Sequence, residues 1–304
     1  MVGPMMPHVM EALDSDFTVH RLWEAADKKA LLAKVSDKVR GIATSGHLGA
    51  SAEMIDALPK LEIIGCYGVG VDAIDLTHAA KRGVIVTNTP DVLNDDVANM
   101  AIALLLATSR QICLGDRYVR EGKWLHGAMH LTRAIRGRQL GILGLGRIGK
   151  DIARKAEAFD MKIAYHGRSK QDVPYSYYAD LVEMARDSDF LVAICPGGPA
   201  TDKIVNRAVL DAIGPEGTFI NVARGSVVDE PELVAALKDG RLGAAGLDVF
   251  AAEPKVPEEL FAMDQVVLQP HAASATQETR RAMGDLVVEN LRAHFAGKPA
   301  VTPV

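Results

Sequence analysis

The stretch Leu140-Gly141-Ile142-Leu143-Gly144-Leu145-Gly146-Arg147-Ile148-Gly149 constrains the fold of this chain more than any other. An apolar run of strand length enters three glycines at G-x-G-x-x-G spacing, and residues 150–159 beyond them have helical composition. In that strand–turn–helix setting each glycine has a separate reason to be there. Gly144 permits the tight turn, Gly146 lets the backbone approach a pyrophosphate, and Gly149 lets the helix lie close to the strand. The free N–H groups at the helix start, around Arg147 and Ile148, and the positive end of the helix dipole complete an anion site. The segment therefore reads as the cradle of a dinucleotide on a parallel α/β sheet.

The next strand end refines that reading. A site for NAD usually carries Asp or Glu about 20 residues on, to bind the ribose 2′-hydroxyl. Here the chain reads Tyr165-His166-Gly167-Arg168-Ser169-Lys170, with no carboxylate. Arg168 and Ser169 can instead clasp a 2′-phosphate, with Lys170 nearby, because a guanidinium matches phosphate oxygens in fork geometry. NADPH is expected to be preferred, with NADH possible but weaker.

Apolar runs of strand length recur on both sides of the glycine loop. Residues 39–43, 61–66 and 84–86 alternate with helical stretches at 51–58 and 73–82, a βαβα pattern that implies a parallel sheet. A long helix follows, expected to run unbroken from Asn94 to about Glu121. Asn94 or Asp95 can cap it, and Asp95 and Asp96 suit its N-terminal end. A second and larger set of strands lies at 140–143, 163–165, 190–194, 218–222, 244–249 and 266–268, and residues 277–295 form a closing helix. With 304 residues, two domains are the natural expectation.

Composition removes several alternatives. Lys and Arg number 34 against 39 Asp and Glu, a net charge of −5, which disfavours nucleic acid or an anionic membrane as partner. Residues 1–10 lack the charged start and long apolar run of a signal peptide. The longest apolar block, 100–107, is about half the roughly 20 residues of a membrane span. Cys66, Cys113 and Cys195 are odd in number and show no C-x-x-C pattern, so neither a disulfide framework nor a metal site is expected, and the cytoplasm is the expected compartment. Cys66 and Cys113 read as small buried apolar residues.

Three polar residues follow strands of the second set: Arg224 after Asn221-Val222-Ala223, Glu253 after Asp248-Val249-Phe250, and His271 after Gln269-Pro270. Sites on open parallel sheets form beyond the carboxyl ends of strands, so the three can converge. Reduction of a small 2-oxo acid by hydride needs such a set. A guanidinium holds the carboxylate through two hydrogen bonds. A histidine, titrating near neutrality, gives a proton to the carbonyl oxygen. A carboxylate orients the ring and stabilises its charged form. Arg224, His271 and Glu253 suit those roles in that order.

These residues resemble the D-isomer-specific 2-hydroxyacid dehydrogenase family, closest to its hydroxypyruvate/glyoxylate and hydroxyphenylpyruvate reductases. The likeness rests on GCYGVGVDAIDL (65–76), GVIVTNTPDVLNDDVANMAIALLLA (83–107), GILGLGRIG (141–149), NVARGSVVDEPEL (221–233), GAAGLDVFAAEP (243–254) and LQPHAASAT (268–276). The resemblance implies an α/β protein of two Rossmann-like or flavodoxin-like parallel-sheet domains with a cleft between them. The substrate domain would be 1–98 plus 281–304, and the dinucleotide-binding domain 99–280. It implies a homodimer built around the long helix and the loop after it, with Trp124 where related reductases send an aromatic residue into the partner's site. The family's catalytic Arg, Glu and His fall on Arg224, Glu253 and His271. The backbone of Val69 and Gly70 matches the loop that meets the substrate carboxylate, and Leu48 and Tyr67 lie where the substrate side chain would sit. Cys195 and Pro196 match the turn beside the adenosine, Val222 and Ala223 the nicotinamide side, and Asp248 the residue facing the carboxamide.

Two departures stand out. The first strand looks truncated, with only Met-Val-Gly ahead of Pro4-Met5-Met6-Pro7. His271 is followed by Ala272-Ala273-Ser274, where many members have glycine two residues on. Other readings of the same scaffold are a formate-type dehydrogenase, which Glu253 disfavours, and a cofactor-sensing, corepressor-like binding module, which the intact Arg/Glu/His set disfavours. A short-chain dehydrogenase is disfavoured because no Tyr-x-x-x-Lys occurs.

Overall fold

The computed structural model describes residues 1–304. The chain begins with α1 (Pro7–Asp16), α2 (Lys28–Val35), β1 (Gly41–Ser45), α3 (Ala52–Asp56), β2 (Ile63–Tyr67), α4 (Leu76–Lys81) and β3 (Ile85–Thr87). It continues with α5 (Asn94–Ser109), α6 (Ile112–Arg120), β4 (Gln139–Leu143), α7 (Arg147–Glu157), β5 (Lys162–His166) and β6 (Ser176–Tyr178). Then come α8 (Leu181–Arg186), β7 (Phe190–Ala193), α9 (Arg207–Ile213), β8 (Thr218–Asn221), α10 (Glu230–Lys238), β9 (Ala244–Leu247), β10 (Val266–Leu268) and α11 (Gln277–Phe295). Two compact units result, one of Met1–Leu93 with Ala275–Val304, the other of Asn94–Ser274.

In the first unit β1, β2 and β3 form a parallel sheet in that order, with Gly41 opposite Ile63 and Ile63 opposite Ile85. Short polar side chains start the helices by accepting first-turn N–H groups: Asp27 for α2, Ser51 for α3, Asp75 for α4 and Thr276 for α11. One face of the sheet packs Ile42, Ile55, Leu58 and Ile64 together. The other packs Ala43 and Ile63 against Val9 and Leu13 of α1 and Val287 and Leu291 of α11.

The second unit has a seven-stranded sheet in the order β10-β9-β8-β7-β4-β5-β6, parallel throughout. Strand order reverses between β4 and β7, so the crevice at their carboxyl ends is where a ligand is expected. Strands buried on both faces read as continuous apolar runs, and β7 (Phe-Leu-Val-Ala) and β4 (Gln-Leu-Gly-Ile-Leu) do so. Edge strand β6 is only Ser-Tyr-Tyr and carries no such run.

The helix expected to run unbroken from 94 to 121 is broken. Thr108 Oγ1 bonds back to the carbonyls of Leu104 and Leu105, Gln111 takes the left-handed conformation (φ 48°), and α6 leaves at 56° to α5. Ahead of the break α5 buries Ala98, Ala101, Leu104 and Leu105, and beyond it α6 buries nothing. Cys113 lies on α6 and is exposed, so it is not the buried apolar residue expected; Cys66 and Cys195 are buried. No single helix is long and apolar enough to cross a membrane.

Candidate active site

The glycine loop leaves β4 at the sheet's switch point. Gly144 has φ +103°, and a Cβ there would sit 2.8 Å from the Cys195 backbone, so no larger residue passes between the ends of β4 and β7. A Cβ on Gly149 would lie 2.2 Å from the Gly144 carbonyl oxygen, which is the close seating of α7 on its strand. At Gly146 a Cβ would meet nothing within 4 Å. Gly146 also caps α7 without a side chain, leaving the first-turn N–H groups around Arg147 and Ile148 with no acceptor from the cap. An open approach to uncapped amides is what a pyrophosphate requires, so these residues fit a dinucleotide.

Beyond β5, Arg168, Ser169 and Lys170 are exposed on a turn with no carboxylate. Gln171, one residue beyond it, steadies that turn. The Gln171 side chain donates to the Leu145 carbonyl at 2.8 Å, and its N–H donates to the Tyr165 hydroxyl at 2.6 Å. The basic turn is thereby tied to the glycine loop. Cys195 is buried, which pushes its thiol up to about 11, and Pro196 beside it is exposed.

The ends of β8, β9 and β10 carry the charged set. Asn221 is fully buried, and its side chain braces the turn that follows: Oδ1 accepts the Ala223 N–H at 3.0 Å and Nδ2 donates to the Arg224 carbonyl at 2.9 Å. Val222 and Ala223 are buried within that turn. Arg224 sends Nη1 back to the Ala223 carbonyl at 2.7 Å. A Cβ on Gly225 would lie 2.0 Å from the Phe250 carbonyl, so the loops after β8 and β9 touch through their backbones. Phe250 donates its N–H to Glu253 Oε1 at 3.0 Å, and Glu253 Oε2 lies 2.7 Å from His271 Nδ1. The Arg224 turn, Glu253 and His271 are thus one connected assembly.

Asp248 links the strands from below. Its N–H bonds to the Asn221 carbonyl at 3.0 Å, and its carbonyl accepts the His271 N–H at 2.8 Å. Its carboxylate accepts the N–H groups of Ala272 (2.7 Å) and Ala273 (3.0 Å). Burial raises the Asp248 carboxyl above the usual range, against the lowering effect of those two hydrogen bonds. These bonds hold His271 in a left-handed backbone conformation, φ 52°. The imidazole keeps 40% of its surface exposed and Glu253 17%, so the carboxylate is shielded while the ring stays accessible.

Leu48, Tyr67, Val69 and Gly70 belong to the other unit. Leu48 is half exposed on the loop after β1. Tyr67 ends β2, donates its hydroxyl to the Arg280 carbonyl at 2.7 Å, and has the Arg280 guanidinium 5.7 Å from its ring centre. The Val69 carbonyl accepts Asn88 Nδ2 at 2.9 Å, and the Gly70 carbonyl lies 3.7 Å from the Cys66 sulfur. Trp124 stands 68% exposed in a turn spanning Lys123–His126.

Residues 102–273 match the family profile described as D-isomer specific 2-hydroxyacid dehydrogenase, NAD binding domain. Over its full length the chain is 52% identical to a hydroxyphenylpyruvate reductase of Plectranthus scutellarioides, covering 97% of that protein. The chain belongs to the D-isomer specific 2-hydroxyacid dehydrogenase family. This dehydrogenase is also 50% identical, over 100% of its length and 97% of the relative's, to a glyoxylate/hydroxypyruvate reductase A of Arabidopsis thaliana. Among solved structures, it is similar to an NADPH-dependent glyoxylate/hydroxypyruvate reductase of Sinorhizobium meliloti in complex with NADP and malonate. That likeness has a TM-score of 0.94 at 47% identity, covering 100% of this chain and 95% of that one.

Proposed function

We propose that this dehydrogenase is an NADPH-dependent reductase of small 2-oxo acids of the glyoxylate and hydroxypyruvate type, yielding D-2-hydroxyacids. The observation that carries this is the 2.7 Å contact of His271 Nδ1 with Glu253, in the assembly that also fixes Arg224. The names of the Arabidopsis and Sinorhizobium relatives favour the substrate class. A bound NADPH supplies the hydride that the carbonyl carbon accepts. Glu253 holds Nδ1, which leaves Nε2 of His271 as the nitrogen that gives its proton to the carbonyl oxygen. The negative charge of Glu253 offsets the positive charge the ring carries before that transfer. Arg224 binds the substrate carboxylate and so fixes the carbonyl in place. In the first unit, the family's carboxylate-contacting loop falls on Val69 and Gly70 and its substrate side-chain pocket on Leu48 and Tyr67. The unit of Asn94–Ser274 carries the dinucleotide, and the other unit carries the side-chain pocket.

The cofactor preference rests on Arg168 and Ser169 standing exposed where a carboxylate for the 2′-hydroxyl would otherwise be. A homodimer is supported by α6 and the loop after it. Ile112, Val119, Trp124, Leu125 and Leu131 are each more than half exposed there, an apolar surface that nothing else in the chain covers. Light scattering on the purified protein should give twice the chain mass, and a monomer would sink that part of the reading.

Initial rates at 340 nm with glyoxylate, hydroxypyruvate, pyruvate and phenylpyruvate, each with NADPH and NADH, test the reaction itself. Turnover of a small 2-oxo acid with NADPH is expected. Folded protein that binds NADPH but turns over none of the four would overturn the assignment.

A further inference from the structure

The loop that leaves β2 has every carbonyl engaged and its amides free. The Gly68 carbonyl accepts the Thr89 N–H at 2.9 Å, the Val69 carbonyl accepts Asn88 Nδ2 at 2.9 Å, and the Gly70 carbonyl accepts the Cys66 thiol at 3.7 Å. In a trans peptide the C=O and the next residue's N–H point in opposite directions. Tying down the Gly68 and Val69 carbonyls therefore turns the N–H groups of Val69 and Gly70 away from the 88–89 segment. Neither N–H has an acceptor in the chain, and both residues are only partly buried. Two successive amides turned the same way form a concavity that suits an anion.

The Val69–Gly70 peptide owes its direction to a side chain, that of Asn88. Thr302 holds the backbone of Asn88 at both ends. The Asn88 N–H donates to the Thr302 carbonyl at 3.2 Å, and the Asn88 carbonyl accepts the Thr302 hydroxyl at 2.6 Å. Asn290 of α11, fully buried, fixes Thr302 in turn. Its Nδ2 donates to Thr302 Oγ1 at 2.8 Å, and its Oδ1 accepts the Thr302 N–H at 3.0 Å. The one hydroxyl proton of Thr302 is thereby directed to Asn88, because its oxygen already accepts from Asn290. Segment 302–304 lies along β3, with Pro303 bridged antiparallel to Thr87 and the Val304 N–H on the Val86 carbonyl at 2.9 Å. One line of hydrogen bonds thus runs from α11 through Thr302 and Asn88 to the Val69–Gly70 peptide.

We infer that Asn88 is the positioning residue of the carboxylate loop: its side-chain amide fixes the Val69–Gly70 peptide so that two consecutive N–H groups meet the carboxylate of a 2-oxo acid, and Thr302 and Asn290 hold Asn88 in place. This rests on the reading that the 69–70 loop meets that carboxylate. Asn88 touches no reacting atom; it acts through the peptide it orients.

The test uses the full-length protein and its Asn88→Ala, Thr302→Val, Thr302→Ser and Arg224→Lys variants. Each is titrated with oxamate, an unreactive isostere of pyruvate, in the presence of NADPH, by quenching of cofactor fluorescence. KM and kcat for glyoxylate and the Kd of NADPH alone are measured beside it. Asn88→Ala should raise the oxamate Kd and the glyoxylate KM roughly 10-fold, the scale of one hydrogen bond to a charged group, with kcat within about two-fold. The NADPH Kd should not move. Thr302→Val should shift the same two constants in the same direction, and Thr302→Ser, which keeps the hydroxyl, should restore them. The Thr302 pair keeps the test decisive should Asn88→Ala fold poorly. An unchanged oxamate Kd in Asn88→Ala, beside a weakened one in Arg224→Lys, would overturn the role of Asn88 and leave the reading of the site standing. Equal losses in Thr302→Val and Thr302→Ser, or a parallel rise in the NADPH Kd, would also overturn it. Oxamate binding that neither Asn88→Ala nor Arg224→Lys weakens would overturn the reading of the site, and this inference with it.

Discussion

Glu253 holds two groups at once: Oε2 lies 2.7 Å from Nδ1 of His271, and Oε1 accepts the Phe250 N–H at 3.0 Å. One carboxylate therefore sets the orientation of the ring and the path of the loop that carries it.

Glu253→Gln separates these duties. The amide oxygen can still accept the Phe250 N–H, but the amide brings no negative charge to Nδ1. Folding should survive, and kcat for reduction should fall about 10- to 100-fold, less than the loss of the acid itself, typically 10²–10⁴-fold. The loss should appear in kcat with KM for the 2-oxo acid nearly unchanged, and an unchanged kcat would show that Glu253 does not act on the ring. His271→Asn should give the larger loss with the cofactor Kd unchanged.

Arg224→Lys keeps the charge and loses the two-pronged geometry. A bidentate charge-assisted contact exchanged for a single one costs about 1.5–3 kcal/mol, so kcat/KM for the 2-oxo acid should drop roughly 10- to 150-fold. NADPH affinity, measured by fluorescence titration, should not change.

Arg168→Ala should weaken NADPH and spare NADH. Losing one charge-assisted contact of about 1.5–3 kcal/mol should raise the KM for NADPH by roughly 10- to 150-fold. A similar rise for both cofactors would remove Arg168 from 2′-phosphate recognition.

The free amino terminus makes stability depend on pH in a chain that begins at Met1. Its pKa is lowered from 8.0 to about 6 in the folded state, chiefly by burial and further by the charge of Arg21. Between those values the unfolded chain holds the proton and the folded chain does not, so stability rises with pH across that interval and levels off above 8. Two pKa units correspond to about 2–3 kcal/mol. Chemical denaturation at pH 6 and pH 8 should reveal the gain, and acetylation of the amino group should remove it.

Some of this architecture was legible in residue order and some was not. Gly144, Gly146 and Gly149 were readable from their spacing; the structure meets a steric demand at Gly144 against the Cys195 backbone and at Gly149 against the Gly144 carbonyl oxygen, and leaves Gly146 facing open space. Arg224, Glu253 and His271 could be picked out as residues following strands, but the contact of Glu253 with His271 across 18 positions depends on neighbouring strands, which no local pattern encodes. Asn221 and Gln171 went unnoticed for a related reason. A polar residue at a strand end or in a turn looks like ordinary surface, and only the fold reveals that Asn221 is fully buried with both ends of its amide engaged. The break at Gln111 was hidden because no Gly or Pro punctuates residues 94–114, and at the bend Thr108 bonds to its own helix.

His271 sits in a left-handed backbone conformation, φ 52°, which costs a side-chain-bearing residue roughly 1–2 kcal/mol and glycine nothing. The demands of durability and of turnover therefore name different amino acids for this one position. A chain selected only to resist heat would place glycine there, and the proton transfer proposed for this position calls for histidine.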